Sequence, residues 1–157
     1  MTDTPRFEDG RPMLLAGLRR HHGFAESVSS IPAQWDEFEQ LGEIPGRVGA
    51  VAYGAMCGAD PERQTLEYLV GVEVESFDGL PAHLGRMRVP PVRYAVFTHE
   101  GPIESIRATW NAAMNEWLPK SGFKSANTPD FERYDERFDA ETGSGIVEIW
   151  LGIVPAG

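Results

Sequence analysis

One pattern occurs twice along this chain: a strand, a helix, then two strands. In the first half, Ser30 supplies a capping hydroxyl and Pro32 a first-turn proline. Ile31, Trp35, Phe38 and Leu41 then follow at helical spacing, up to a stop at Gly42. In the second half, Gly101-Pro102 opens a helix on which Ile103, Ile106, Trp110, Met114 (with Ala113) and Trp117 recur every three or four residues, and Pro119 and Ser121-Gly122 close it. Pro32 and Pro102 stand 70 residues apart. Strands are expected over 13–22, 48–57 and 65–76 in the first half. In the second they are expected over 86–100, 131–137 and 146–154, with Pro90-Pro91 forcing an edge or a bulge. The repeat is one of pattern and not of residue identity.

Two such units predict an α+β fold: tandem strand–helix–strand–strand repeats related by a pseudo-twofold axis, an antiparallel sheet, two main helices and a central groove. A groove between symmetric halves favours a small ligand. Residues 1–11 read as a flexible leader, and 12–157 as a single domain with half-units of about 12–76 and 86–154.

Composition narrows the function. With 157 residues, 14 Lys and Arg against 24 Asp and Glu give a net charge of −10, which disfavours nucleic acid as the main partner. The longest mainly apolar run, 48–59, is Gly-rich and too short for a bilayer. Asp3, Glu8 and Asp9 precede a short apolar patch, unlike a signal peptide. The expected location is the cytoplasm. Cys57 cannot form an internal disulfide or a cysteine-based zinc site, and is expected to be a buried, inert thiol. His21 and His22 face opposite ways on a strand, and His83 and His99 stand apart, so no metal and no cofactor are expected. No nucleophile elbow, phosphate loop or dinucleotide fingerprint is present.

The last strand carries the strongest site signal. Val147, Ile149, Leu151 and Ile153 form an apolar face; Glu148 and Trp150 share the other. Glu148 is either a solvated carboxylate or a charge held among aromatics, which is costly unless paired. Trp150 beside it favours the second. Trp35 and Trp117 read as core, whereas Trp110 reads as edging the groove. Tyr53, among small neighbours, and Tyr68 are candidate walls whose hydroxyls could equally be wet; Met114 is a gap filler or a ligand contact. The charged run Asp135-Glu136-Arg137 reads as a solvated hairpin end.

Four stretches then carry a resemblance: Tyr94-Ala-Val-Phe-Thr-His-Glu-Gly-Pro102, Trp117-Leu-Pro-Lys-Ser-Gly122, Phe131-Glu-Arg-Tyr134 and Glu148-Ile-Trp-Leu-Gly-Ile153. Together with Asp60-Pro-Glu-Arg-Gln-Thr-Leu-Glu-Tyr-Leu-Val-Gly-Val72 they resemble the GyrI-like effector-binding family over about residues 12–154. That family includes ligand-sensing domains of AraC- and MerR-type regulators, gyrase-inhibitor-like proteins and free-standing drug-binding proteins. The resemblance implies a glutamate on the last strand, here Glu148, that sits in an aromatic pocket and attracts lipophilic cations, with Trp150 facing the same pocket. Gly152 stands where the family often has proline, and no DNA-binding helix-turn-helix is expected.

The expected function is therefore stand-alone binding of planar, lipophilic, cationic ligands by Glu148, Trp150, Trp110, Tyr53, Tyr68 and Met114. Desolvation would raise the pKa of Glu148, and a guest cation would restore its charge, with cation–π attraction of about 0.5–2 kcal/mol per ring. The alternatives are a hydrolase of strained electrophiles with Glu148 as general base, or an accessory protein that meets a regulator or gyrase. No membrane partner is expected.

Overall fold

The computed structural model describes residues 4–157, the side chain of Cys57 excepted, so the reading of that thiol lies outside the described residues. In chain order the strands are β1 (Arg6–Asp9), β2 (Met13–Gly23), β3 (Arg47–Asp60), β4 (Thr65–Val74), β5 (Gly85–Val89), β6 (Arg93–Pro102), β7 (Phe123–Ser125), β8 (Asp130–Tyr134), β9 (Phe138–Asp139) and β10 (Ser144–Pro155). Helix α1 spans Ser27–Glu39 and α2 spans Ile106–Asn111. The chain divides into two compact units. Pro12–Val89 forms one; Pro90–Gly157, with the described residues up to Arg11, forms the other.

The Pro12–Val89 unit is an antiparallel sheet in the order β3-β4-β2-β5, with α1 packed on it. Gly17 and Gly71 lie opposite each other on β2 and β4. A methyl on Gly17 would come within 2.6 Å of the Gly71 Cα and closer still to the Val70 carbonyl, so these strands require glycine there. Ala16, Ile44, Val72, Val74, Leu80 and Leu84 form the core, with Phe38 and Leu41 of the helix stripe packed against it. The helix starts at Ser27, one turn before the expected Ser30 cap, and Pro32 lies inside it. A proline this near the start removes an N–H that has few helical acceptors.

The second unit is built on β10. One edge pairs with β6 from Ser144↔Pro102 to Ile153↔Arg93; the other is shared in turn by β9, β8 and β7. β1 pairs with the far edge of β6, from Arg6↔Val96 to Asp9↔Arg93. Arg6–Asp9, which reads as leader in the sequence, is thus ordered strand. Its alternation (Arg6 and Glu8 one way, Phe7 the other) is too short to stand out. Val147, Ile149, Leu151 and Ile153 face the helical segment as expected, packing with Ala95, Phe97, Ile106 and Ala113.

That segment is not one helix. Ile103–Ser105 is 3₁₀, Ile106–Asn111 is α, Ala112–Trp117 is a π turn, and Leu118–Lys120 is again 3₁₀. The wider π turn shifts the phase of the apolar stripe. Ala112 and Ala113 become buried, and Met114 is left 41% exposed. Both units carry the strand–helix–strand–strand order, as β2-α1-β3-β4 and, with the short β7 and β9 interposed, β6-α2-β8-β10. The fold is α+β with antiparallel pairing, and what recurs is the order of elements.

Candidate functional site

Alternation along β10 puts Glu148 and Trp150 on the face away from the helical segment. Glu148 is only 4% exposed, but it is not an unpaired charge among aromatics. Arg137 donates to its Oε2 at 3.0 Å, and the Trp150 indole N–H donates to its Oε1 at 3.0 Å. Arg6 reaches Oε2 at 3.1 Å, and Arg133 lies 3.9 Å from Oε1. Asp135, itself bonded by Arg133 and Arg137, completes the group. Burial alone would raise the pKa of Glu148; the Arg137 and Trp150 hydrogen bonds and the Arg6 charge outweigh it and hold the carboxyl below its usual range. This reverses the expected direction, because the arginines lie far from Glu148 in sequence. The Asp135 carboxyl is also held down, to about 2, chiefly by Arg137, so the expected solvated hairpin end is a built ionic cluster.

The aromatic wall beside Glu148 is present. Trp150 stacks on Phe131 at 5.5 Å, and Tyr94 meets both rings edge-on at 5.3–5.4 Å. The cation over Trp150 is the chain's own: the Arg6 guanidinium lies 5.8 Å from the ring centroid.

The helix-facing side of the same sheet holds a second buried carboxylate that the sequence reading missed. Glu132 pairs with Ile149 across β8 and β10, so it shares the side of Ile149. It is 5% exposed. The Trp110 indole N–H donates to its Oε2 at 2.7 Å, and the Tyr134 hydroxyl donates to its Oε1 at 2.8 Å. Tyr134 packs edge-on to Phe138 at 5.2 Å, and Trp110 and Tyr134 are themselves half-buried.

Within the second unit the expected site residues divide between the two faces of the sheet. Glu148 and Trp150 stay together. Trp110 leaves them for Glu132, on the other face of the sheet. Met114 points outward. Tyr53 and Tyr68 belong to the Pro12–Val89 unit, where both are buried. There Tyr68 accepts the Trp35 indole N–H at 3.3 Å, and Tyr53 lies opposite Gly71. The alternation Phe131-Glu132-Arg133-Tyr134 already placed Glu132 and Tyr134 on one face; the density of charge around it hid the signal. Among the described residues, no cluster of His, Cys, Asp or Glu is arranged to hold a metal ion, and no helix is long and apolar enough to cross a membrane.

Comparison with known proteins follows the same lines. A transcriptional regulator, BrlR of Pseudomonas aeruginosa, is 34% identical over 106 residues, covering 66% of this chain; the chain spans 38% of that regulator's length. SAV2435, solved bound to tetraphenylphosphonium, superposes with a TM-score of 0.77 at 15% identity, covering 96% of this chain and 93% of that one. An integron cassette protein of Vibrio cholerae gives 0.72 at 17% identity, covering 98% and 97%. The model of the GyrI-like small molecule binding domain matches residues 3–154. From that match across nearly its whole length, the chain belongs to the GyrI-like family of small-molecule-binding domains.

Proposed function

We propose that this protein is a receptor for lipophilic cations and that Glu132 is the charge that meets the guest. The observation carrying this reading is a carboxylate withdrawn from water whose two oxygens are met by an indole and a phenol. A carboxylate withdrawn from water attracts a guest's positive charge more strongly than one in bulk solvent, because the attraction is less screened. Tryptophan is also the ring that binds cations best. Glu148 is the weaker candidate, because a guest there must displace guanidinium groups already in place. The tetraphenylphosphonium held by SAV2435, a protein of the same fold, supports a bulky aromatic cation as the probe.

The test is a calorimetric titration of tetraphenylphosphonium into wild type, Glu132→Gln and Glu148→Gln. Glu132→Gln is expected to weaken binding at least about tenfold, roughly 1.4 kcal/mol, and Glu148→Gln much less. Equal affinities for wild type and Glu132→Gln remove Glu132 from the site; a dominant loss in Glu148→Gln returns the site to the other face.

The hydrolase reading moves with the carboxylate. A group held below its usual pKa is a poor base, which disfavours Glu148. Glu132 with the Tyr134 hydroxyl at 2.8 Å pairs a proton acceptor with a donor. Time-dependent product from a strained electrophile, lost in both Glu132→Gln and Tyr134→Phe, would favour turnover over binding.

A further inference from the structure

Each unit contains a buried histidine that the site does not use, and the two are placed alike. In the Pro12–Val89 unit, His22 near the end of β2 lies 2.7 Å from Ser30 Oγ through Nδ1 and 2.5 Å from Gln34 Oε1 through Nε2. Gln34 donates its amide to the Leu18 and Tyr68 carbonyls at 2.9 and 3.1 Å, so its oxygen must face the imidazole. The next residue, Trp35, donates to the Tyr68 hydroxyl. In the other unit, His99 of β6 lies 2.8 Å from Thr109 Oγ1 through Nδ1 and 3.0 Å from the Pro102 carbonyl through Nε2. A carbonyl only accepts, so Nε2 carries a proton, and in the neutral imidazole Nδ1 then accepts from the Thr109 hydroxyl. The next residue is Trp110, which donates to Glu132. Twice, a strand histidine grips the residue just before a helix tryptophan, and that tryptophan donates to a side chain on a strand that follows the helix.

We infer that His99 is a positioning residue: by holding Thr109 it fixes the rotation of α2 and thereby seats the Trp110 indole on Glu132. This rests on the reading of Glu132 as the guest's charge partner, but its physical core does not. The six residues of α2 run straight into a π turn, so no long regular helix sets their phase. A side-chain tip some 6–7 Å from a helix axis moves about 2 Å for a 20° turn, enough to break a 2.7 Å hydrogen bond. The strand side of this contact is fixed by the β8–β10 ladder. On the helix side, the His99–Thr109 bond ties α2 to β6 directly beside Trp110.

The experiment uses protein labelled with ¹⁵N-tryptophan and the variants Thr109→Val, Thr109→Ser and Glu132→Gln. Thr109→Val keeps the shape of the side chain and removes the hydroxyl that His99 accepts. The expected result is that the Trp110 indole N–H resonance, assigned by Trp110→Phe, moves in Thr109→Val in the same direction as in Glu132→Gln. The resonances of Trp35, Trp117 and Trp150 stay in place, and Thr109→Ser restores the wild-type position. Tetraphenylphosphonium affinity should fall about five- to tenfold in Thr109→Val, with no further loss when Glu132→Gln is already present. An unmoved Trp110 resonance in Thr109→Val overturns the inference whatever the affinities are. A moved resonance with tetraphenylphosphonium affinity unchanged in every variant upholds the positioning role and overturns Glu132 as the charge partner.

Discussion

Glu148 and Glu132 show how little a side chain's identity says about its electrostatics. Both are buried glutamates on neighbouring strands, one gripped by guanidinium groups and the other met by an indole and a phenol. Removing one arginine tests the first. Arg6→Gln should bring the Glu148 carboxyl, followed by NMR, back toward the ordinary glutamate range, since it deletes a charge that holds the group down; an unmoved titration would mean that Arg137 and Trp150 suffice. Asp130 behaves in the opposite way. Burial raises its pKa from 3.8 to about 6, partly offset by the Gly152 N–H that it accepts. A folded-state pKa above the unfolded one means that stability falls as pH rises from about 4 through 6. At about 1.4 kcal/mol per unit the loss is about 3 kcal/mol. Asp130→Asn can still accept from Gly152, so it should flatten that part of the stability–pH curve and raise the melting temperature at pH 7. Near Asp130, the Tyr94 hydroxyl is buried without a hydrogen-bond partner among the described residues, and its pKa is pushed up to about 12. Tyr94→Phe should therefore leave denaturant stability unchanged or raise it by about 1 kcal/mol.

At the level of elements, regular periodicity was readable and its interruptions were not. β10 follows its alternation over its whole length, so Glu148 and Trp150 were correctly placed on one face. The sequence places the start of α1 one turn late, because Ser30-Pro32 looks like a helix start even when one more turn precedes it. The stripe on the second helix led to Trp110, yet an ideal 3.6-residue period carried Met114 along with it, and the π turn turns Met114 outward. β1 left no legible trace: four residues show too little alternation, and its partner strand lies beyond the intervening unit. It nonetheless brings Phe7 against Trp117 and Phe123 at 5.7–6.2 Å and Arg6 onto Glu148. Breaking it with Phe7→Ala should cost about 1 kcal/mol of denaturant stability, the loss of an aromatic that packs on two rings while staying 40% exposed. A change below a few tenths would show that β1 is held by its ladder alone.

For the whole molecule, two units of one pattern were legible because helical and strand periods are strong over ten or more residues. The residue-level echo was not. His22 before Gln34-Trp35 and His99 before Thr109-Trp110 are separated by twelve and ten residues, and nothing in one dimension says that a histidine on a strand will meet a hydroxyl on a helix. Charge works at the same scale. A net −10 attracts cations from a distance, but a Debye length of about 8 Å at physiological salt confines that attraction. Tetraphenylphosphonium affinity should fall less than about threefold between 50 and 300 mM salt if a buried carboxylate dominates. A steeper fall would assign the affinity to the surface field.

The position of β1 also separates its synthesis from that of its partners. Residues 12–89 emerge from the ribosome as one uninterrupted stretch that carries β2, β3, β4 and β5. The other unit is split: its first strand is made before that stretch, and β6 and β10, which β1 and Glu148 need, are made after it. Arg6 is thus made long before Glu148, and the ring of charge around that glutamate closes only once residues on either side of the whole 12–89 stretch have been brought together.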